Sequence, residues 1–194
     1  MKWNLPNALT AARIAFIPIL IVVFYLPFAW TNWACMIVFV LACVTDWLDG
    51  WFARRWQQTS AFGAFLDPVA DKLMIATALI LLIERDPSFS MSLATIVIIG
   101  REITISALRE WMSEIGQRKA VRVAAIGKIK TIAQMIAIGF MLFREPLFGL
   151  PIYAIGKVLL YVAAALTLWS MFKYLSAAWP ILKGELPSDS NEQR

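Results

Sequence analysis

The sequence contains no histidine. That absence excludes Ser-His and Cys-His nucleophilic machinery, imidazole general acid–base catalysis and His-ligated zinc. Cysteine is nearly absent too. Cys35 and Cys43 stand eight residues apart in one apolar segment and form no CxxC spacing, so they read as small apolar fillers. Charge is sparse, with 16% Asp, Glu, Lys and Arg against 60% hydrophobic residues. A mean hydropathy of +0.69 excludes a disordered chain and argues against an ordinary soluble one. With imidazole missing and thiols scarce, a metal would be held mostly by carboxylates, whose oxygens suit hard cations such as Mg²⁺ or Mn²⁺.

What is present in quantity is apolar length. The 194 residues suffice for one domain. Six apolar runs lie at about 9–28, 33–53, 61–83, 91–112, 128–143 and 150–178, most near the roughly 20 residues that cross a bilayer. The expectation is an all-α integral membrane protein, a bundle of six transmembrane helices over 1–180 followed by a polar cytoplasmic tail, 181–194. The opening MKWNLPNALTAAR is expected to begin as a short interfacial helix. Pro18 interrupts the first run and no clear A-x-A site follows, so that run reads as an uncleaved anchor.

The links LPFAWTN, ERDPSFS and REPLFGLP hold only Arg85 and Arg144 as basic residues, whereas Arg54, Arg55, Arg118, Lys119, Arg122 and others lie on the opposite side. Excess Lys and Arg marks the cytoplasmic face, which places both termini there. The same asymmetry explains the net charge of +5 without nucleic acid as a partner. Trp30, Trp33, Trp56, Trp111 and Trp179 fall near predicted span ends, as interfacial anchors do.

Against this background, residues 44–73, VTDWLDGWFARRWQQTSAFGAFLDPVADKL, carry four aspartates. Asp46 and Asp49 are three apart and Asp67 and Asp71 four apart, so each pair shares a helix face. A short turn around Gln57 to Ser60 makes the two helices antiparallel neighbours whose acidic faces converge. Four carboxylates so close repel strongly in a low dielectric, and divalent cations relieve the conflict. The bland alternative pairs them with Arg54, Arg55 and Lys72; charge inside membrane spans marks function by default. Gly50, Ala53 and Gly63 leave a low surface beside the carboxylates, and Arg54 adds a cation suited to phosphate oxygens.

The spacing D-x2-D-G-x2-A-R-x8-G-x3-D-x3-D is complete in Asp46, Asp49, Gly50, Ala53, Arg54, Gly63, Asp67 and Asp71. It resembles the signature of the CDP-alcohol phosphatidyltransferases, membrane enzymes that transfer a phosphatidyl group from a CDP-linked lipid to an alcohol. The resemblance implies that Asp46, Asp49, Asp67 and Asp71 hold two divalent ions, Mg²⁺ or Mn²⁺, on the CDP diphosphate. It implies Asp71 as general base, Gly50, Ala53 and Gly63 as room for the cytidine end, and Arg54 and Ser60 as nucleotide contacts.

A second charged cluster bears on the acceptor. Arg101 and Arg109, in REITISALREW, are eight apart and lie roughly on one side of a helix; Lys128, Lys130, Thr131 and Gln134 follow in GKIKTIAQ. Arg101 lies too deep for snorkelling to explain, although Glu102 offers it a local partner. Three converging cations suit an anionic acceptor, most simply one bearing phosphate.

LPNALTAAR, REITISALREW and GKIKTIAQ extend the resemblance over residues 4–178, to family members that use CDP-diacylglycerol and sn-glycerol 3-phosphate. It implies Arg101, Arg109 and Lys128 on the acceptor phosphate, with Asn7, Thr10 and Arg13 near the CDP end. An inositol-phosphate or serine acceptor is disfavoured. The resemblance also implies a homodimer in the bacterial inner membrane, its active site facing the cytoplasm.

Three rival readings account for less. A transporter predicts acidic residues scattered along a pathway, perhaps in repeated halves. An isoprenoid transferase carries its aspartate motifs in separate loops without the DG-x2-AR-x8-G frame. A purely structural membrane protein leaves the charges without purpose.

Overall fold

The computed structural model describes residues 5–56, 61–116 and 125–183. Among these residues the chain forms six α-helices: α1 (Leu5–Phe24), α2 (Thr31–Trp56), α3 (Ala61–Arg85), α4 (Phe89–Glu114), α5 (Ala125–Phe143) and α6 (Ile152–Leu182). The only β feature among them is an isolated bridge between Leu147 and Leu150. Each predicted apolar run appears as one helix. From Leu5 onward the N-terminal segment is continuous with α1 and does not form a separate helix. α6 runs to Leu182, just past the expected start of the tail.

Prolines and turn residues punctuate the elements. Leu26-Pro27 follows α1 and Asp86-Pro87 follows α3, where proline cannot continue a helix and restricts its predecessor. The α5–α6 connection reverses through Arg144, Phe148 and Gly149, all with left-handed φ (63°, 51° and 77°).

Among the described residues, three helical segments are long and apolar enough to cross a membrane: Thr31–Phe52, Phe89–Glu114 and Ile152–Ser176. Ala8–Phe24 and Lys130–Phe143 are apolar but shorter. In α3 the apolar stretch is cut short by Asp67, Asp71 and Lys72 at one end and by Glu84 and Arg85 at the other.

α1 packs against α2 and α3, α5 against α6 and α2, and α4 against α6 and α3. Their shared core holds Leu20, Phe39, Leu79, Ile98, Ile138 and Leu160, each essentially buried. Large apolar side chains such as Val22, Trp47, Ile96, Trp169 and Phe172 face outward, the pattern of helices that present an apolar surface to lipid. Of the predicted anchors, Trp30, Trp33, Trp111 and Trp179 are exposed near helix ends, while the Trp56 side chain lies outside the described residues.

At the α3–α4 turn, Asp86 accepts hydrogen bonds from Lys157 Nζ (2.6 Å) and Tyr153 Oη (2.8 Å), which tie the turn to the start of α6. These donors hold the Asp86 carboxyl below its ordinary range. Its contribution to stability is therefore present above the unfolded carboxylate value and is lost as pH falls through the lower, folded one.

α5 and α6 come closest at Gly156. A Cβ there would lie 2.9 Å from the Ala137 carbonyl oxygen, 2.9 Å from Met141 Cγ and 2.9 Å from Phe140 Cβ. Backbone and Cβ atoms cannot swing aside. Gly156→Ala should destabilise the protein by about 1–3 kcal/mol, as overpacking does, seen as a lower thermal midpoint in detergent. Gly100→Ala, which meets nothing within 4 Å, should leave the midpoint nearly unchanged. Equal behaviour of the two variants would refute the close α5–α6 approach.

Candidate active site

The four aspartates gather where the C-terminal part of α2 meets the start of α3, and α1 supplies what holds them. Arg13 is 1% exposed. Its Nη2 lies 3.0 Å from Asp46 Oδ1 and also contacts Asp49 Oδ2, while its Nη1 lies 2.6 Å from Asp71 Oδ1. One helical turn earlier, Thr10 Oγ1 donates to Asp67 Oδ1 at 2.5 Å. Two α1 residues, three positions apart and buried on one face, thus contact all four carboxylates.

Arginine suits this position because its planar fork presents several N–H donors and stays charged. Asp49 is buried at 5% exposure, whereas Asp46 and Asp71 keep 32% and 39% of their side chains exposed. The pairing with Arg54, Arg55 and Lys72 considered from sequence is not what the described residues form. Arg55 stacks over Trp51 at 5.5 Å, and the Arg54 side chain lies outside the described residues.

The donor chemistry of this cluster fits a hard divalent cation: all four ligand candidates are carboxylates, and three direct an oxygen to the same guanidinium. One arginine offsets one of their four negative charges, so further positive charge is favourable at this point. Among the described residues, no three Asp, Glu or Cys side chains are gathered for a single metal ion. Arg13 stands between them and shares the oxygens that a cation would use.

A cavity of about 320 Å³ opens beside the cluster. Its polar lining includes Arg13, Asp46 and Asp71 from the first cluster and Glu102, Thr131 and Gln134 from α4 and α5. The second region reaches this space through Glu102, whose Oε1 accepts from both Arg101 and Lys130; Arg101, Arg109 and Lys130 themselves are not among its lining residues. An apolar groove between α2 and α5, about 360 Å³, shares Phe39, Cys43 and Met135 with that cavity.

In the second cluster, Arg101 is buried at 7% exposure and gives Nη1 to Glu102 Oε1 at 2.8 Å. The same oxygen accepts from Lys130 Nζ at 3.2 Å, and Lys130 is 1% exposed. Arg101 and Arg109 both lie over the Tyr174 ring, with Cζ at 5.8 and 5.6 Å from its centroid. The Nε atoms of both arginines are buried without a hydrogen-bond partner. The local Arg101–Glu102 pair weighed from sequence is present, yet Arg101, Arg109 and Lys130 against Glu102 leave a formal surplus of two positive charges, three minus one.

Gly50 is half-buried on α2 beside Asp49, and Gly63 is buried on α3 one turn before Asp67. The side chains of Asn7, Ala53, Arg54 and Lys128, and the whole of Ser60, lie outside the described residues. Sequence reasoning joined Lys128 to the two arginines, and its side chain lies outside the described residues; Lys130 is the described lysine that shares Glu102 Oε1 with Arg101. A lysine on the buried side of α5, aligned with Gln134 four residues on, was the available signal. Thr10 and Arg13 were expected near the CDP end; their contacts with the aspartates were legible only as two polar residues on one face of an apolar helix.

The sequence profile of the CDP-alcohol phosphatidyltransferases matches residues 3–169. The chain is 53% identical over 178 residues to a protein of Pectobacterium atrosepticum named CDP-diacylglycerol–glycerol-3-phosphate 3-phosphatidyltransferase, covering 92% of this chain and 96% of the relative. Relatives of the same name from Sodalis glossinidius and Salmonella choleraesuis are 54% and 51% identical, each over 92% of this chain and 96% of their own length. With its complete eight-position signature on α2 and α3, the chain belongs to the CDP-alcohol phosphatidyltransferase family.

Proposed function

We propose that this protein transfers the phosphatidyl group of CDP-diacylglycerol to sn-glycerol 3-phosphate, giving phosphatidylglycerophosphate and CMP. The observation that carries the reading is the cavity lined by Arg13, Asp46 and Asp71 and also by Glu102, the carboxylate that Arg101 and Lys130 share. One cluster suits the donor's diphosphate, the other the acceptor's phosphate. Relatives bearing that activity in their names cover nearly the whole chain. A phosphate monoester carries about two negative charges near neutral pH, which matches the surplus of the second cluster.

The family is generally dependent on divalent metal. Asp46, Asp49, Asp67 and Asp71 are the residues that would hold two such ions, Mg²⁺ or Mn²⁺. When bound, the ions neutralise the donor diphosphate and stabilise the departing CMP.

The remaining steps belong to the chain's own residues. Arg101, Arg109 and Lys130 bind the acceptor phosphate, joined by Lys128. Asp71, which lines the cavity and is the most exposed carboxylate on Arg13, takes the proton from the acceptor hydroxyl as its oxygen attacks phosphorus. The new O–P bond forms as the bond to CMP breaks, and no covalent enzyme intermediate is needed. Gly50, Ala53 and Gly63 leave room for the cytidine end, with Asn7, Arg54 and Ser60 beside the nucleotide. The apolar groove between α2 and α5 suits one acyl chain of the donor because it shares Phe39, Cys43 and Met135 with the cavity. In this reading all six helices span a bacterial inner membrane, both termini and the active site face the cytoplasm, and the protein acts as a homodimer.

Purified protein with Mg²⁺ or Mn²⁺, CDP-diacylglycerol and a panel of alcohols should release CMP with sn-glycerol 3-phosphate and not with serine or inositol phosphate. Absence of CMP release with every acceptor would defeat the enzyme reading. Asp71→Asn should lower turnover by about 10²–10⁴-fold, the usual contribution of a general base, while CDP-lipid binding persists. Turnover near that of the unmodified protein removes Asp71 from that role. Arg13→Gln should destabilise the protein by about 3 kcal/mol, toward the lower end for losing one partner of a buried ion pair. Thermal unfolding in the presence of chelator measures this, and an unchanged midpoint shows that the carboxylates do not depend on Arg13.

A further inference from the structure

Arg101 and Arg109 are both supplied by α4, and alongside Glu102 it is α6 that contacts their charged ends. Arg101 gives Nη2 to Ser170 Oγ at 3.3 Å, and Ser170 is itself anchored by donating to the Thr167 carbonyl at 2.9 Å. One turn further along α6, Tyr174 lies within 6 Å of both guanidinium carbons, at 5.8 and 5.6 Å. The two arginines are eight residues apart, about 12 Å of helical rise. A single ring therefore serves both.

The physical logic is that of a platform. Two like charges directed at one site repel, and long arginine side chains lose rotamer freedom when fixed. An aromatic face attracts both cations through its quadrupole and restricts where each can lie. Tyr174 packs against Met112, Ala178 and Ile181. The Nε atoms of Arg101 and Arg109 are buried and have no hydrogen-bond partner among the described residues.

We propose that Ser170 and Tyr174 are positioning residues of the acceptor subsite, holding Arg101 and Arg109 in the arrangement that receives the acceptor's phosphate. The proposal rests on the reading of the acceptor as a phosphate-bearing alcohol. It adds a role for α6, which contributes none of the residues that the signature names.

Steady-state kinetics on the full chain in detergent, with CDP-diacylglycerol, Mg²⁺ and sn-glycerol 3-phosphate, separates the possibilities. Tyr174→Met keeps apolar volume and removes the ring; it should raise the acceptor KM about tenfold and leave the donor KM unchanged. Tyr174→Phe keeps the ring face and should stay close to the unmodified protein. Ser170→Ala should raise the acceptor KM about two- to threefold, and Arg109→Ala more than either.

If Arg109→Ala raises the acceptor KM and Tyr174→Met does not, the positioning role is overturned and the acceptor reading stands. If neither does, the acceptor reading itself fails and the proposal goes with it. Equal increases in donor and acceptor KM, or a Tyr174→Phe variant as impaired as Tyr174→Met, also overturn the proposal, because packing or the hydroxyl would then be responsible. Should Tyr174→Met fail to fold, Ser170→Ala decides: an unchanged acceptor KM overturns the role for α6.

Discussion

The buried guanidinium of Arg13 is the interaction around which the rest of this structure is arranged. Asp46 and Asp49 come from one helix and Asp71 from another, and all three contact it. In an apolar bundle, carboxylates on facing helices repel strongly and resist desolvation. A third helix that carries the opposite charge into their midst turns that repulsion into a three-way attachment of α1, α2 and α3. Thr10 extends the attachment to Asp67. The cost of burying charge is met by geometry: a planar fork that reaches several carboxylates at once.

That attachment is local, and the remainder of the bundle is apolar packing. Leu20, Phe39, Leu79, Ile98 and Ile138 fill the space between helices, and Gly156 lets α5 and α6 approach closely enough to exclude a methyl group. Large apolar side chains point outward. The aspartate cluster opens on a cavity that Glu102, the partner of Arg101 and Lys130, also lines, and this adjacency makes the proposed two-substrate transfer physically coherent.

The cationic cluster inverts the electrostatics of the first. Glu102 is shared by Arg101 and Lys130 through one oxygen, so it moderates the mutual repulsion of the cations without cancelling their charge. The first cluster holds excess negative charge and suits cations. The second holds excess positive charge and suits an anion. In the proposed reaction the first cluster takes the donor's diphosphate and the second the acceptor's phosphate.

Much of this was legible in the sequence, and for identifiable reasons. Helices announce themselves through apolar runs and terminating prolines, and the i, i+3 and i, i+4 spacing of the aspartates assigns them to helix faces whatever the surrounding fold. The eight-position signature was equally local, lying within 26 residues from Asp46 to Asp71. The absence of histidine narrowed the candidate metal chemistry to oxygen ligands. The contacts made across the bundle were not legible. Arg13 reaches Asp71 from 58 positions away and Ser170 reaches Arg101 from 69, and no spacing rule relates residues on helices whose neighbours are chosen by packing. Nothing in the sequence singled out Lys130, and its burial on α5 beside Glu102 is what the fold adds. The sequence by itself determined which residues carry charge, which faces they share and which family signature they complete. Only the tertiary structure decided which charges meet, because that depends on which helices become neighbours and how closely their backbones approach.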